Sequence, residues 1–255
     1  MMNYMKSELY RVTHTSGIYC FAGILVLVSV LLNVGIYTLG GNRYNTTSFS
    51  YSNLVANPMA FVITGTVIAY FLYEGNPRNG NLKNTVAGGI PRIKIFAGEC
   101  VVSTITATVM MFLTLGAWII SANLLLKKSG PVQLKDLLTE VPAVYLIAVA
   151  GIISGILLLE LCEKNITGIL VWCTIWLFIP VILNYLGMRF EVIHNIAMWL
   201  PGNFFKLVNG IHVNSSECIT IWDTQEGWMR CLLSGSGGIF IFSLFGMVSL
   251  KRKDL

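Results

Sequence analysis

Charged residues divide this chain into six long intervals that contain none. Arg11 to Arg43, Arg43 to Glu74, Glu99 to Lys127, Glu140 to Glu160, Lys164 to Arg189 and Arg230 to Lys251 enclose 31, 30, 27, 19, 24 and 20 uncharged residues. A helix crossing the hydrocarbon core of a bilayer needs about 20 apolar residues, so each interval can hold one crossing. Between Glu191 and Lys206, and again between Lys206 and Glu217, the intervals shrink to 14 and 10 residues. These are too short to span and suit interfacial or re-entrant pieces.

Composition excludes the soluble alternative. Of 255 residues 55% are hydrophobic and 11% charged, whereas a soluble domain carries roughly a quarter charged residues. Too few polar side chains remain to coat a large soluble core. Runs such as IYCFAGILVLVSVLL are continuous rather than alternating, which argues against a β-barrel, and a helix satisfies its own backbone in lipid. The sequence therefore predicts an all-α integral membrane protein with six transmembrane helices at about 17–39, 56–73, 96–126, 141–159, 168–187 and 231–250. The apolar run from Ile18 to Leu39 exceeds a typical signal-peptide core and has no evident cleavage site, so the first crossing is expected to stay.

Six crossings put both ends of the chain on one side. That side, residues 1–16, 74–95, 160–167 and 251–255, carries ten Lys and Arg in 51 residues, against seven in 73 on the other. The denser side is expected to be cytoplasmic. The third crossing, at 31 residues, makes about 46 Å of helix for a core of about 30 Å, so it is expected to protrude there, with Glu99 exposed at the interface. The net charge of +5 is modest, and no basic run interleaved with aromatics points to nucleic acid.

Three stretches outside the crossings carry information. Residues 1–16 read as a short cytoplasmic amphipathic helix, because Met2, Met5, Leu9 and Val12 share one face while Lys6, Glu8 and Arg11 occupy others. The connection 74–95 opens on the turn formers Asn76-Pro77 and Asn79-Gly80-Asn81 and then offers a short helical piece with Leu82 and Val86 four apart. Gly88-Gly89 can end that piece in a left-handed conformation, and Pro91 suits the start of the next helix. Its Arg78, Lys83, Arg92 and Lys94 fit either an acidic partner or simple retention inside. Residues 188–230 mix Trp199, Trp222 and Trp228 with the apolar pieces VIHNIAMWL and FFKLVNGI, which suit the outer interface.

Catalytic and metal-binding constellations are weak. No G-x-x-x-x-G-K-[ST] phosphate cradle occurs, so any ATP site would lie on another polypeptide. His14, His194 and His212 are scattered, and no H-E-x-x-H pairs ligands on one helix face, so no metal site, cofactor site or catalytic residue is expected. Glu160 and Glu163 read as a solvated helix end. Cys218 and Cys231 both fall near the outer loop, and pairing between them stays open. Gly151, Ser154 and Gly155, and Ser103, Thr104, Thr106 and Thr108, suit close helix packing, with a polar transport path as the rarer use.

The start MKSELYR, the stretch Gly80-Asn81-Leu82-Lys83-Asn84 leading into Gly89-Ile90-Pro91-Arg92-Ile93-Lys94-Ile95, and Lys251-Arg252-Lys253-Asp254 directly after the last crossing together resemble the small six-span permeases of the ABC-2 type, found in bacitracin and lantibiotic exporters. The resemblance implies one six-span domain over 17–250 with a cytoplasmic tail at 251–255. It implies a non-catalytic subunit in a bacterial plasma membrane, paired with an identical or homologous permease and two copies of a cytoplasmic ABC ATPase that carries ATP and Mg. It implies a coupling helix that contacts the ATPase through Asn81, Leu82, Lys83, Asn84, Val86, Gly88, Gly89 and Arg92. It further implies an outer gate containing Trp199, Pro201, Phe204 and Phe205, and an amphipathic antimicrobial peptide as substrate. The rival is a membrane-embedded binding, anchor or sensor subunit without its own transport cycle.

Overall fold

The computed structural model of the protein describes residues 2–73, 86, 89–162, 164–206 and 219–253. They form α1 (Met2–His14), α2 (Ser16–Leu39), α3 (Gly41–Tyr44), α4 (Thr47–Val55), α5 (Met59–Tyr73), α6 (Arg92–Leu125), α7 (Leu134–Leu161), α8 (Asn165–Cys173), α9 (Ile179–Gly187), α10 (Glu191–Ala197), α11 (Pro201–Phe204) and α12 (Gln225–Lys253). A π turn over Thr174–Phe178 joins α8 to α9, and a 3-10 turn over Ile221–Asp223 precedes α12. No strand occurs among the described residues. Five continuous runs, α2, α6, α7, α8 through α9, and α12, are long and apolar enough to cross a membrane.

The second crossing differs from its expected form. Instead of one helix over 56–73, α5 covers 15 residues, about 22 Å, and α4 meets it at a bend of 68°. The break falls at Asn57-Pro58, where Pro58 has no N–H to continue the helical ladder. Val62 of α5 lies in one buried cluster with Tyr51 and Val55, while Ile68, Leu72 and Tyr73 lie in the other with Val12 and Leu250. The bent pair thus reaches from one buried cluster to the other and, counted as one broken span, makes the sixth crossing. Because Val12 and Leu250 share that second cluster, both chain ends lie at the same face, called the terminal face below.

Three other boundaries move outward. The fourth crossing begins at Leu134 rather than 141, because Gln133 and Asp136 form a capping box, with the Gln133 N–H donating to Asp136 Oδ2 at 2.8 Å. The fifth begins at Asn165 and accommodates Pro180 through the π turn just before it. The sixth starts at Gln225 and continues to Lys253.

Helix α7 is the centre of the bundle: 61% of its most apolar window is buried, against 11% for α2 at the edge. Close approach explains this. A Cβ added to Gly151 would stand 2.7 Å from Val62 Cγ1, and one on Gly155 2.7 Å from Thr66 Cγ2, so α5 lies nearly backbone to backbone on α7. On the opposite side Gly235 and Gly238 of α12 meet Leu146 and Ala150 in the same way. Ser154 joins a third neighbour, since its Oγ accepts from both Trp172 Nε1 at 3.1 Å and Trp176 Nε1 at 2.9 Å. The small residues of the fourth crossing are packing residues, as their sequence pattern predicts.

Helix α2 is held by one polar residue. Asn33 is fully buried; its Nδ2 donates to Trp118 O at 3.0 Å and Ser121 Oγ at 2.8 Å, while Oδ1 accepts from Ser50 Oγ at 2.6 Å. It therefore clamps α2 to α6 and α4 in a region without water to substitute. Asn33→Leu is expected to destabilise the folded protein by about 2 kcal/mol, since it removes three buried hydrogen bonds between helices and leaves the Ser50 hydroxyl without its acceptor. Thermal unfolding in detergent checks this, and Ser29→Ala, which loses only a bond within its own helix, should change little.

Candidate functional site

The terminal face holds a joint of three helices around the connection 74–91. The last described turn of α5 reaches Tyr73, and Arg11 of α1 meets it: Nη1 and Nη2 donate to Leu72 O at 3.4 and 3.5 Å. The same guanidinium donates from Nη2 to Glu8 Oε2 at 2.7 Å and lies 5.1 Å from the Tyr73 ring centroid. Burial opposes the Arg11 charge, but the Glu8 carboxylate outweighs it, and the pKa rises.

On the other strand of the joint, Gly98 of α6 admits the Tyr4 ring, whose Cε1 stands 2.8 Å from where a Cβ would be. Burial, followed by the Glu99 and Glu8 carboxylates, pushes the Tyr4 phenol well up, so it remains a neutral hydrogen-bonding group. Helix α1 forms as its residue spacing predicts, but its inner face packs on protein: Val12 is buried and Tyr4, Met5 and Leu9 are half-buried. Glu99 corrects the expectation of interfacial exposure. It is 2% exposed, because α1 covers the protruding start of α6 that would otherwise face water.

Of the coupling residues inferred from the sequence, Asn81, Leu82, Lys83, Asn84 and Gly88 lie outside the described residues. Val86 is helical and half-buried, and its carbonyl accepts from the Gly89 N–H at 2.9 Å. Gly89 has φ +85°, the left-handed turn its sequence position predicts. Pro91 then occupies the N-cap of α6, one position before the first helical residue, Arg92, which is half-buried. The described end of the connection thus turns at Gly89 and enters α6 through Pro91.

At the far face, Pro201, Phe204 and Phe205 are buried and Trp199 is half exposed. Phe204 and Phe205 meet edge to face with centroids 4.7 Å apart, in the cluster that also holds Trp172, Trp176 and Trp222. Asn203 staples this short helix to the fifth crossing, donating from Nδ2 to Pro180 O at 2.7 Å and Ala197 O at 3.0 Å. Trp199 instead packs outward, 5.6 Å from the Arg230 guanidinium. The four residues inferred for an outer gate thus divide into a buried plug of three and a surface ring. Cys231 is a free, fully buried thiol, and Cys218 lies outside the described residues, as does Glu163.

Glu140 escaped the sequence reading, which used it only to mark where an uncharged interval begins. It is fully buried in the helix that also buries Leu137, Ala143 and Val144, and among the described residues neither carboxylate oxygen has a hydrogen-bond partner. A buried carboxyl without a partner is destabilising for the fold. Glu140→Leu is expected to stabilise the protein by about 1–3 kcal/mol, read as a raised melting temperature in detergent.

Between α2, α5, α6 and α7 lies a cavity of about 180 Å³, lined by apolar side chains with Ser29, Thr64, Thr104, Thr108, Thr114 and Tyr145 interspersed. None of its lining residues is charged. Among the described residues no group of three His, Cys, Asp or Glu side chains is placed to hold a metal.

Fold and surface define an all-α protein embedded in a membrane. Large apolar side chains such as Leu31, Phe112, Leu124, Phe240 and Ile241 stand more than half exposed on its crossings, a surface suited to lipid rather than water. No protein-family model matches the chain, and neither a curated protein nor a solved structure is significantly similar to it.

Proposed function

We propose that this chain is the permease subunit of an ATP-driven exporter of ABC-2 type, lying in a bacterial plasma membrane with its terminal face in the cytoplasm. The observation that supports this reading best is the joint at the terminal face. The connection 74–91 leaves α5 where Arg11 grips Leu72 O and re-enters α6 through Gly89 and Pro91. A force applied there reaches α1, α5 and α6 together, which is what a mechanical handle requires. In this reading a separate ATPase, two copies per permease pair, grips residues 79–94. ATP binding on that partner moves the crossings between inward-facing and outward-facing arrangements, and the buried plug of Phe204 and Phe205 opens on the far face. An amphipathic antimicrobial peptide of the lantibiotic or bacitracin kind is the proposed cargo, on the strength of the sequence resemblance.

The cavity among α2, α5, α6 and α7 supports a second reading, a membrane-embedded binding subunit with no transport cycle of its own. One experiment separates the two. The tagged chain is purified in mild detergent from its native host, and co-purifying proteins are identified and assayed for ATPase activity. The exporter reading expects a P-loop ATPase in equal stoichiometry, lost when residues 79–88 are scrambled. A chain that purifies without such a partner, or keeps it after scrambling, defeats the exporter reading.

A further inference from the structure

The hydroxyl groups around the central cavity can be accounted for proton by proton. A serine or threonine hydroxyl has one proton to give and two lone pairs to accept with. Ser29 gives its proton to Leu25 O at 2.9 Å, Thr104 to Cys100 O at 2.8 Å and Thr114 to Met110 O at 2.9 Å. Thr108 Oγ lies 2.7 Å from Thr104 O. Tyr145 Oη lies 3.0 Å from Thr108 Oγ, and either hydroxyl can be the donor in that pair. Ser29, Thr104 and Thr114 therefore face the cavity as acceptors.

One lining residue keeps an unspent donor. Thr64 makes no hydrogen bond among the described residues although it lines the cavity. A donor left unused in an apolar interior is unfavourable, so a ligand that accepts from the Thr64 hydroxyl recovers what the empty fold forgoes. The wall thus complements a group that both donates and accepts. It does not complement an ion, because no charged residue lines the cavity, and an unpaired charge in such surroundings is strongly disfavoured.

Size and access complete the argument. About 180 Å³ is close to the roughly 150 Å³ engineered cavity that takes up benzene, so a polar head and a short length of chain fit. Val28, in the lining, is 44% exposed on the lipid-facing side of α2, so the remainder of a longer chain can continue into the bilayer. We propose that this cavity is a binding site for a neutral single-chain amphiphile whose head is a hydroxyl or an amide, entering sideways from the lipid. The site needs neither nucleotide nor a partner chain, so it stands apart from the exporter reading.

The test uses the full chain in lipid nanodiscs and a dodecan-1-ol derivative with a diazirine on its second carbon as photolabel. Labelled peptides are mapped by mass spectrometry. The expected result is labelling concentrated on peptides containing 104–114 and 145–152, suppressed by excess dodecan-1-ol or dodecanamide and not by dodecane, dodecanoate or dodecylammonium. Tyr145→Phe and Thr64→Val should each reduce that labelling about three- to tenfold while leaving the label elsewhere unchanged. Because each removes a single oxygen or swaps it for a methyl, at least one folded variant is available for comparison. Labelling spread evenly over all lipid-facing helices overturns the proposal, as does protection by dodecane equal to that by the alcohol, or undiminished labelling in both variants.

Discussion

Gly235→Val is expected to prevent the folded bundle from accumulating, with a loss of about 3 kcal/mol or more in whatever protein is recovered. A Cβ on Gly235 would stand 2.5 Å from Leu146 Cβ and 2.9 Å from the Ile147 backbone nitrogen. A side-chain tip can rotate away, but the backbone of the most buried helix in the bundle cannot, so α12 as a whole must withdraw from α7. Withdrawal opens the longest helix pairing in the molecule and unseats Gly238 from Ala150, one turn further along. Gly237→Val supplies the control. It makes the same change two residues away, where nothing lies within 4 Å, and should leave the melting temperature and gel-filtration profile almost unaltered. Equal behaviour of the two variants would show that α12 does not rest on α7 through Gly235.

That contrast also marks what the sequence could and could not reveal. The crossings were legible because the cost of burying charge in lipid writes itself into the sequence as long uncharged intervals. Their ends were less legible, because charge count alone ignores capping and burial. Lys135, Asp136 and Glu140 seemed to place residues 134–140 in water, yet the Gln133 and Asp136 capping box starts the helix there and Glu140 ends fully buried. The break in the second crossing had a signal that went unread, the Asn57-Pro58 pair, which interrupts an otherwise apolar interval.

At the terminal face, residue spacing predicts that α1 has an apolar side but cannot say what covers it. The answer comes from contacts far apart in sequence, Arg11 with Leu72 and Tyr4 with Gly98, and no local pattern encodes those. Asn33 was invisible for the same reason. A single amide in an uncharged interval is an ordinary residue until Trp118, Ser121 and Ser50 are found around it.

The second large effect concerns the joint itself. Gly89→Val is expected to reduce association with the ATPase proposed above at least tenfold while the six crossings stay folded. At φ +85° a side chain with a branched Cβ is strongly disfavoured, by about 1–2 kcal/mol or more, so the backbone must leave the left-handed region. Among the described residues no atom lies within 4 Å of the position a Cβ would take, so the expected effect is on the direction the chain takes before Pro91. The handle would then leave α6 at a different angle while Arg11, Leu72 and the packed face of α1 remain in place. Gly89→Ala, with a smaller barrier to the same turn, should fall between the two in co-purification of the ATPase, and all three proteins should share one melting temperature. An ATPase retained in full by Gly89→Val would mean that the turn does not aim the connection at a partner. A fall in melting temperature would mean instead that Gly89 serves the fold.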